Sequence, residues 1–137
     1  MPTSASKAAT AVSQDAGINS AFYLQYFQPS NRWAFARMDA DAVLAASSRV
    51  LSNAAPTLNT WTHLVGVYNA STLDVYLYVD GSLQGAATDP TPFTSSGPLT
   101  IGRARYQSTD YDWFTGKIKD VQVFHKALTP AQIAHLD

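Results

Sequence analysis

Residues able to do chemistry crowd into one stretch of eight positions. Tyr106, Gln107, Asp110, Tyr111, Asp112 and Trp113 combine three aromatic rings, an amide and two carboxylates. A sugar ring lays its C–H face on an aromatic plane, while amides and carboxylates take its hydroxyls. The stretch therefore suits carbohydrate binding, with a solvated polar loop as the plain alternative. Tyr76 and Tyr78 form a second candidate. They alternate with Val75, Leu77 and Val79, which puts the tyrosines together on the opposite face of a strand. There they could line a sugar-binding sheet face, pack across strands, or be covered in an oligomer contact.

Other chemistries lack their residues. The chain has no Cys, which excludes disulfides, thiol nucleophiles and thiolate metal sites. His63, His125 and His135 stand at no zinc-binding spacing. His63 reads as a half-buried strand histidine and the other two as surface residues. No Gly-x-Ser-x-Gly elbow and no glycine-rich phosphate loop is present. Nine Lys+Arg against ten Asp+Glu leave a net charge of −1, which argues against nucleic acid and against polybasic membrane attachment. No apolar run approaches the ~18 residues of a membrane span. The first ten residues lack the features of a signal peptide. The expectation is a mature or excised domain outside the cell or at its surface, or a cytoplasmic chain if Met1 is the native start.

A length of 137 residues suits one domain over the whole chain, with residues 1–7 expected to be flexible. The elements that must hold the aromatics read as strands. Residues 8–14 form a weak first strand. Residues 21–28 (AFYLQYFQ) and 32–39 (RWAFARMD) flank a Pro-Ser-Asn turn and predict a hairpin. In the second of these, Trp33, Phe35 and Arg37 face one way, and Arg32, Ala34, Ala36 and Met38 the other. Residues 49–53 are a short strand. Residues 61–68 (WTHLVGVY) are the strongest, with Trp61 expected in the core. Residues 73–80 and 82–87 make a hairpin about Asp80-Gly81.

Residues 99–106 predict a further strand, 106–113 a loop, and 114–124 the last long strand. In that last strand the apolar spacing slips near Lys119-Asp120, as one extra residue in a bulge would make it do. Thr129, Pro130 and Gln132 spell a capping box that starts a short helix at residues 130–136. Many short strands, turns and one helix point to an antiparallel all-β sandwich.

Five motifs in order carry a family resemblance: WTHLVGVY at 61–68, LYVDG at 77–81, LTIG at 99–102, FTGKIKDVQVF at 114–124 and ALTPAQI at 127–133. Their succession resembles the LamG-like jelly-roll domain of the concanavalin A-like lectin/glucanase superfamily, related to laminin G and pentraxin modules. The match runs from about Ala9 to Leu136. The resemblance implies a jelly roll with rim-loop ligand binding and a glycan or glycoprotein as partner. It also implies a rim Ca²⁺ site, for which Asp110 and Asp112 are the candidates and Asp15 an outside one, because Ca²⁺ takes hard oxygen ligands.

Glucanases of the superfamily hold paired carboxylates on one strand face. Here all ten acidic residues are Asp, and the pairs Asp39/Asp41 and Asp110/Asp112 fall in expected loops. Hydrolysis is therefore disfavoured, and a non-catalytic binding or adhesion module is expected. Family members carry two further strands ahead of the first one here. A domain short at that side would leave sheet edges open to copies of itself or to a strand-completing partner. A self-assembling structural subunit is thus the alternative.

Overall fold

A computed structural model describes residues 1–136. The expected class holds: among the described residues every paired strand is antiparallel, and the one α-helix is short and near the C-terminus. One sheet contains β1 (Ala9–Asp15), β2 (Ser20–Phe27), β3 (Arg32–Met38), β4 (Ser47–Leu51) and β8 (Leu99–Ile101), in the order β4-β3-β2-β1-β8. The second contains β5 (Leu64–Asn69), β6 (Asp74–Val79) and β7 (Ser82–Thr88), in the order β5-β6-β7. A two-stranded ribbon, β9 (Ala104–Tyr106) and β10 (Thr109–Tyr111), completes the strands.

The sheets pack through alternate side chains. Trp33 and Phe35 of β3, Tyr26 of β2 and Val50 of β4 meet Val75 and Leu77 of β6 in the main core. Gly66 lets the layers close, since a Cβ there would fall 2.4 Å from the Phe35 ring. Arg37 also points inward. Its Nε donates to Asp89 at 3.0 Å, its guanidinium lies 4.0 Å from the Tyr68 ring centroid, and Asp89 is fully buried. Removing either member of such a pair costs about 3–5 kcal/mol, because the other charge stays buried.

Turn chemistry follows the sequence at the β6–β7 hairpin, where Asp80 (φ 49°) and Gly81 (φ 78°) both take the left-handed values that a two-residue turn needs. The helix α1 (Pro130–Ala134) also starts as expected. Thr129 Oγ1 accepts from the Gln132 amide, and the Gln132 side chain accepts from the Thr129 amide.

Four expectations need correction. Residues 114–124 form no ladder: only the bridge between Pro2 and Gly116 belongs to this stretch, and the rest has no strand partner among the described residues. Asp120, at the expected slip, does take a left-handed φ of 54°. Trp61 is not core. Strand β5 begins only at Leu64, so Trp61 stays 45% exposed, with Lys119 Nζ 4.7 Å from its ring centroid. The strand expected over 99–106 breaks at Gly102 (φ 89°) into β8 and β9. The loop expected over 106–113 contains β10. Residues 1–3 run beside 115–117: the Met1 ammonium donates to the Lys117 carbonyl at 2.9 Å, and the Thr3 amide to the Thr115 carbonyl at 3.0 Å.

Candidate functional site

The strand register puts two rows of side chains on the outer face of the five-stranded sheet. One row is Thr10, Gln25, Ala34 and Leu51; the other is Ser13, Tyr23, Ala36 and Arg49. A sheet face turned away from the core is ordinarily polar, and this one has a floor of two alanines. Arg49 occupies the space they leave. Its guanidinium lies 3.9 Å from the Phe27 ring centroid on β2, so the side chain must pass over β3, whose outward residues there are Ala34 and Ala36. Both alanines are fully buried, and the Arg49 Nε is enclosed without a hydrogen-bond partner.

The β9–β10 ribbon makes one wall. Ala104 packs on Tyr23, Ala36 and Met38, and Tyr111 is paired with it, so this face of the ribbon leans over the sheet. Tyr106 stands diagonally beside Tyr111, with ring centroids 6.0 Å apart at 50°, and both rings keep exposed edges. The turn joining them is unusual. Gln107 (φ 47°) and Ser108 (φ 66°) are both left-handed without being glycine. Such conformations cost about 1–2 kcal/mol each and need support from outside the turn. That support comes from Asn19 Oδ1, which accepts from the Gln107 amide at 3.0 Å, and from the Ile18 carbonyl, which accepts from the Ser108 amide at 2.8 Å. Asn19 is fully buried, and Asp41 in turn accepts from the Gly17, Ile18 and Asn19 amides.

Asp112 follows the ribbon. Its carbonyl accepts from the Thr10 amide at 2.7 Å, which fixes it above β1. Burial pushes its carboxyl up to about 6, and the positive charge of Arg49 opposes that shift. The tyrosine pair, a half-buried carboxylate and a guanidinium thus converge above an alanine floor. Stacking surfaces and orienting polar groups are what sugar recognition needs.

The remaining sequence candidates separate. Asp110 shares register with Arg105, on the opposite face of the ribbon. Its Oδ1 lies 3.2 Å from Arg103 Nη1 and 3.5 Å from Arg105 Nη1. Asp15 receives both terminal nitrogens of Arg103, at 3.0 and 2.8 Å. Two guanidinium groups therefore already neutralise Asp15 and Asp110. A divalent cation would have to displace them, and Asp112 lies on the cleft side. These residues do not fit a Ca²⁺ ion, and the described residues bring no three acidic or histidine side chains together for a metal.

Trp113 is 63% exposed beside the ribbon, and Gln107 is exposed at its turn. Tyr78 is a correction: it is only 6% exposed, packed with Val67 under Ile133. Tyr76 borders the same cluster, and its hydroxyl donates to Asp74 at 3.2 Å. The expected outward stripe is thus roofed by the C-terminal helix.

Arg49, Phe27, Tyr23 and Gln25 were not legible as site residues. One signal was present: β3 carries Trp33, Phe35 and Arg37 on one face and alanine on the other, which marks a face on which something long must lie.

The described residues form an all-β antiparallel sandwich with one short C-terminal helix. The chain belongs to the concanavalin A-like lectin/glucanases superfamily, whose family model matches residues 1–134. Comparison with curated proteins gave no match. Among solved structures, the chain is similar to an S-layer domain-containing protein (residues 221–444) from Clostridium thermocellum, with 20% identity and a TM-score of 0.49. The similarity covers 88% of this chain and 57% of that one. Among the described residues no helix is long and apolar enough to cross a membrane.

Proposed function

We propose that the chain is a non-catalytic glycan-binding module whose ligand lies in the cleft between the β9–β10 ribbon and the outer face of the five-stranded sheet. The observation that carries this reading is the pair Tyr106 and Tyr111. Two exposed rings are held side by side on a turn whose strained backbone is braced by buried Asn19. In this reading a pyranose stacks on the tyrosines, and Arg49 and Asp112 take its hydroxyls. Trp113 extends the apolar surface at the mouth. A glycan ligand places the chain outside the cell or at its surface.

The test is a glycan array, followed by titration of the hits against Tyr106→Ala and Tyr111→Ala. Each single variant is expected to lose at least about fivefold in affinity while keeping its melting temperature within a few degrees, since stacking on one ring is worth about 1 kcal/mol or more. Affinity is expected to be indifferent to EDTA. An array without hits, or hits untouched by both substitutions, would remove the reading.

A further inference from the structure

We propose that the sugar held in the cleft carries an ionised carboxylate, which Arg49 engages through two parallel N–H···O bonds. The inference rests on the glycan reading and names the class of ligand within it. Its ground is the way the chain uses its arginines. Arg37 is paired with Asp89, Arg103 with Asp15 and Asp110, and Arg105 with Asp110. Arg32 donates to the Asn31 carbonyl. Among the described residues, Arg49 is the one arginine with neither an ion pair nor a hydrogen bond.

Arg49 is nevertheless no solvated surface residue. Its Nε is enclosed, and burial works against its charge. The side chain crosses buried Ala34 and Ala36, and its guanidinium rests 3.9 Å from the Phe27 ring centroid. A ring face attracts a cation but leaves its N–H donors unmatched. A charge taken partly out of water with its donors unmade is unfavourable, and a well-placed counter-ion offsets that. The two Nη groups also meet no acceptor, yet unlike Nε they are not enclosed.

Asp112 does not fill the role. It lies close enough for Arg49 to oppose the rise of its carboxyl, but burial outweighs that effect. A carboxylate that had captured the guanidinium would titrate below the usual range, not above it. The other side chains within electrostatic reach of Arg49 are the phenols Tyr23 on β2 and Tyr106 on β9. β1 presents uncharged Thr10 beside Asp112, and β3 presents its alanines.

The ligand chemistry follows from this setting. A guanidinium and a carboxylate are both planar and pair through two bonds at once. In a carboxylated pyranose the acid group stands off the ring and leaves a C–H face free to stack. One sugar residue can then lie on Tyr106 and Tyr111 and reach Arg49 with its carboxylate. The added negative charge raises Asp112 further, so Asp112 takes up a proton on binding. Hexuronic acids and sialic-type acids share this chemistry.

The test is calorimetric titration of the full chain with trigalacturonate and with sialyllactose. Their neutral counterparts are the methyl ester of trigalacturonate and lactose. One acid is expected to bind at least about tenfold more tightly than its counterpart, and which one does so identifies the type of acid. Arg49→Gln is expected to abolish that preference while neutral hits from the array still bind. Arg49→Lys keeps the charge without the planar fork and is expected to lose most of it. Affinity for the acid is expected to rise at least about threefold from about pH 7.5 to about pH 5.5, while that for neutral hits stays level. Melting temperatures check that the variants fold, and the ester comparison uses the unmodified chain.

Acids that bind no better than their counterparts, beside neutral hits that depend on Tyr106 and Tyr111, would overturn this inference and leave the glycan reading standing. Absence of binding by any sugar would remove both. An acid preference that survives both Arg49 substitutions, or that does not strengthen towards the lower pH, would put the carboxylate elsewhere and overturn the proposal.

Discussion

The outer faces of the two layers begin from the same pattern and end differently. On the five-stranded sheet, Tyr23, Ala36 and Arg49 alternate with inward Leu24, Phe35 and Val50. On the three-stranded sheet, Val67 and Tyr78 alternate with inward Gly66, Leu77 and Tyr68. The first face is partly covered by the tyrosine-bearing ribbon and stays polar, with an arginine laid across alanines. The second is roofed by α1 through Ile133, which is fully buried. Alternation therefore decides only which residues share a face. Whether that face stays open or becomes a second core depends on what a distant segment lays over it.

Four experiments would break or sharpen this contrast. The largest effect is expected from Ile133→Ala, which uncovers the roofed face. Loss of a fully buried aliphatic side chain costs about 2–5 kcal/mol, read by urea unfolding, and Tyr78 should then become accessible to modification. Thr129→Ala removes the capping box that starts the same helix and should cost about 1 kcal/mol in the same assay. A result near zero would mean that packing alone holds the roof.

On the open face the effect on stability should be smaller. Arg49→Ala gives up one cation–π contact and should cost about 1 kcal/mol or less, yet lower affinity for a glycan hit by at least about tenfold. If stability fell as steeply as for Ile133→Ala, the arginine would be a core element and the contrast would fail.

The smallest effect is a change of slope. The Asp112 carboxyl is raised from 3.8 to about 6. Between those values the unfolded chain releases this proton before the folded chain does, so stability should fall as pH rises and level off above about 6. Asp112→Asn should flatten the pH profile over that interval and leave the protein more stable than the unsubstituted chain above it.

Several elements were readable one by one. The Asp80-Gly81 hairpin, the Thr129–Gln132 capping box and the two faces of β3 each depend on residues a few positions apart, and each appears as read. Tyr106, Tyr111 and Asp112 were readable as a polar aromatic stretch, although their arrangement as a ribbon was not. The Gln107-Ser108 turn has no glycine to announce it. Its support comes from Asn19, 88 positions away.

Trp61 and residues 114–124 show the opposite case. Both have strand-like patterning, yet a strand exists only where a neighbour takes its backbone bonds, and among the described residues none pairs with the edge of β5 away from β6. Tyr78 was misjudged for a related reason: period-two spacing contains nothing about a helix that arrives 50 residues later.

Local chemistry thus determined the all-β class, the inward and outward sets of each strand, the turn at Asp80 and the start of the helix, because these follow from backbone sterics and spacing within a few residues. The tertiary structure decided which outward face stays open, that Asp15 and Asp110 are spent on Arg103 and Arg105, and that Arg49 crosses an alanine floor to Phe27. Those outcomes are set by contacts between segments far apart in the chain, and burial and electrostatic pairing act on such distances only once the layers have closed.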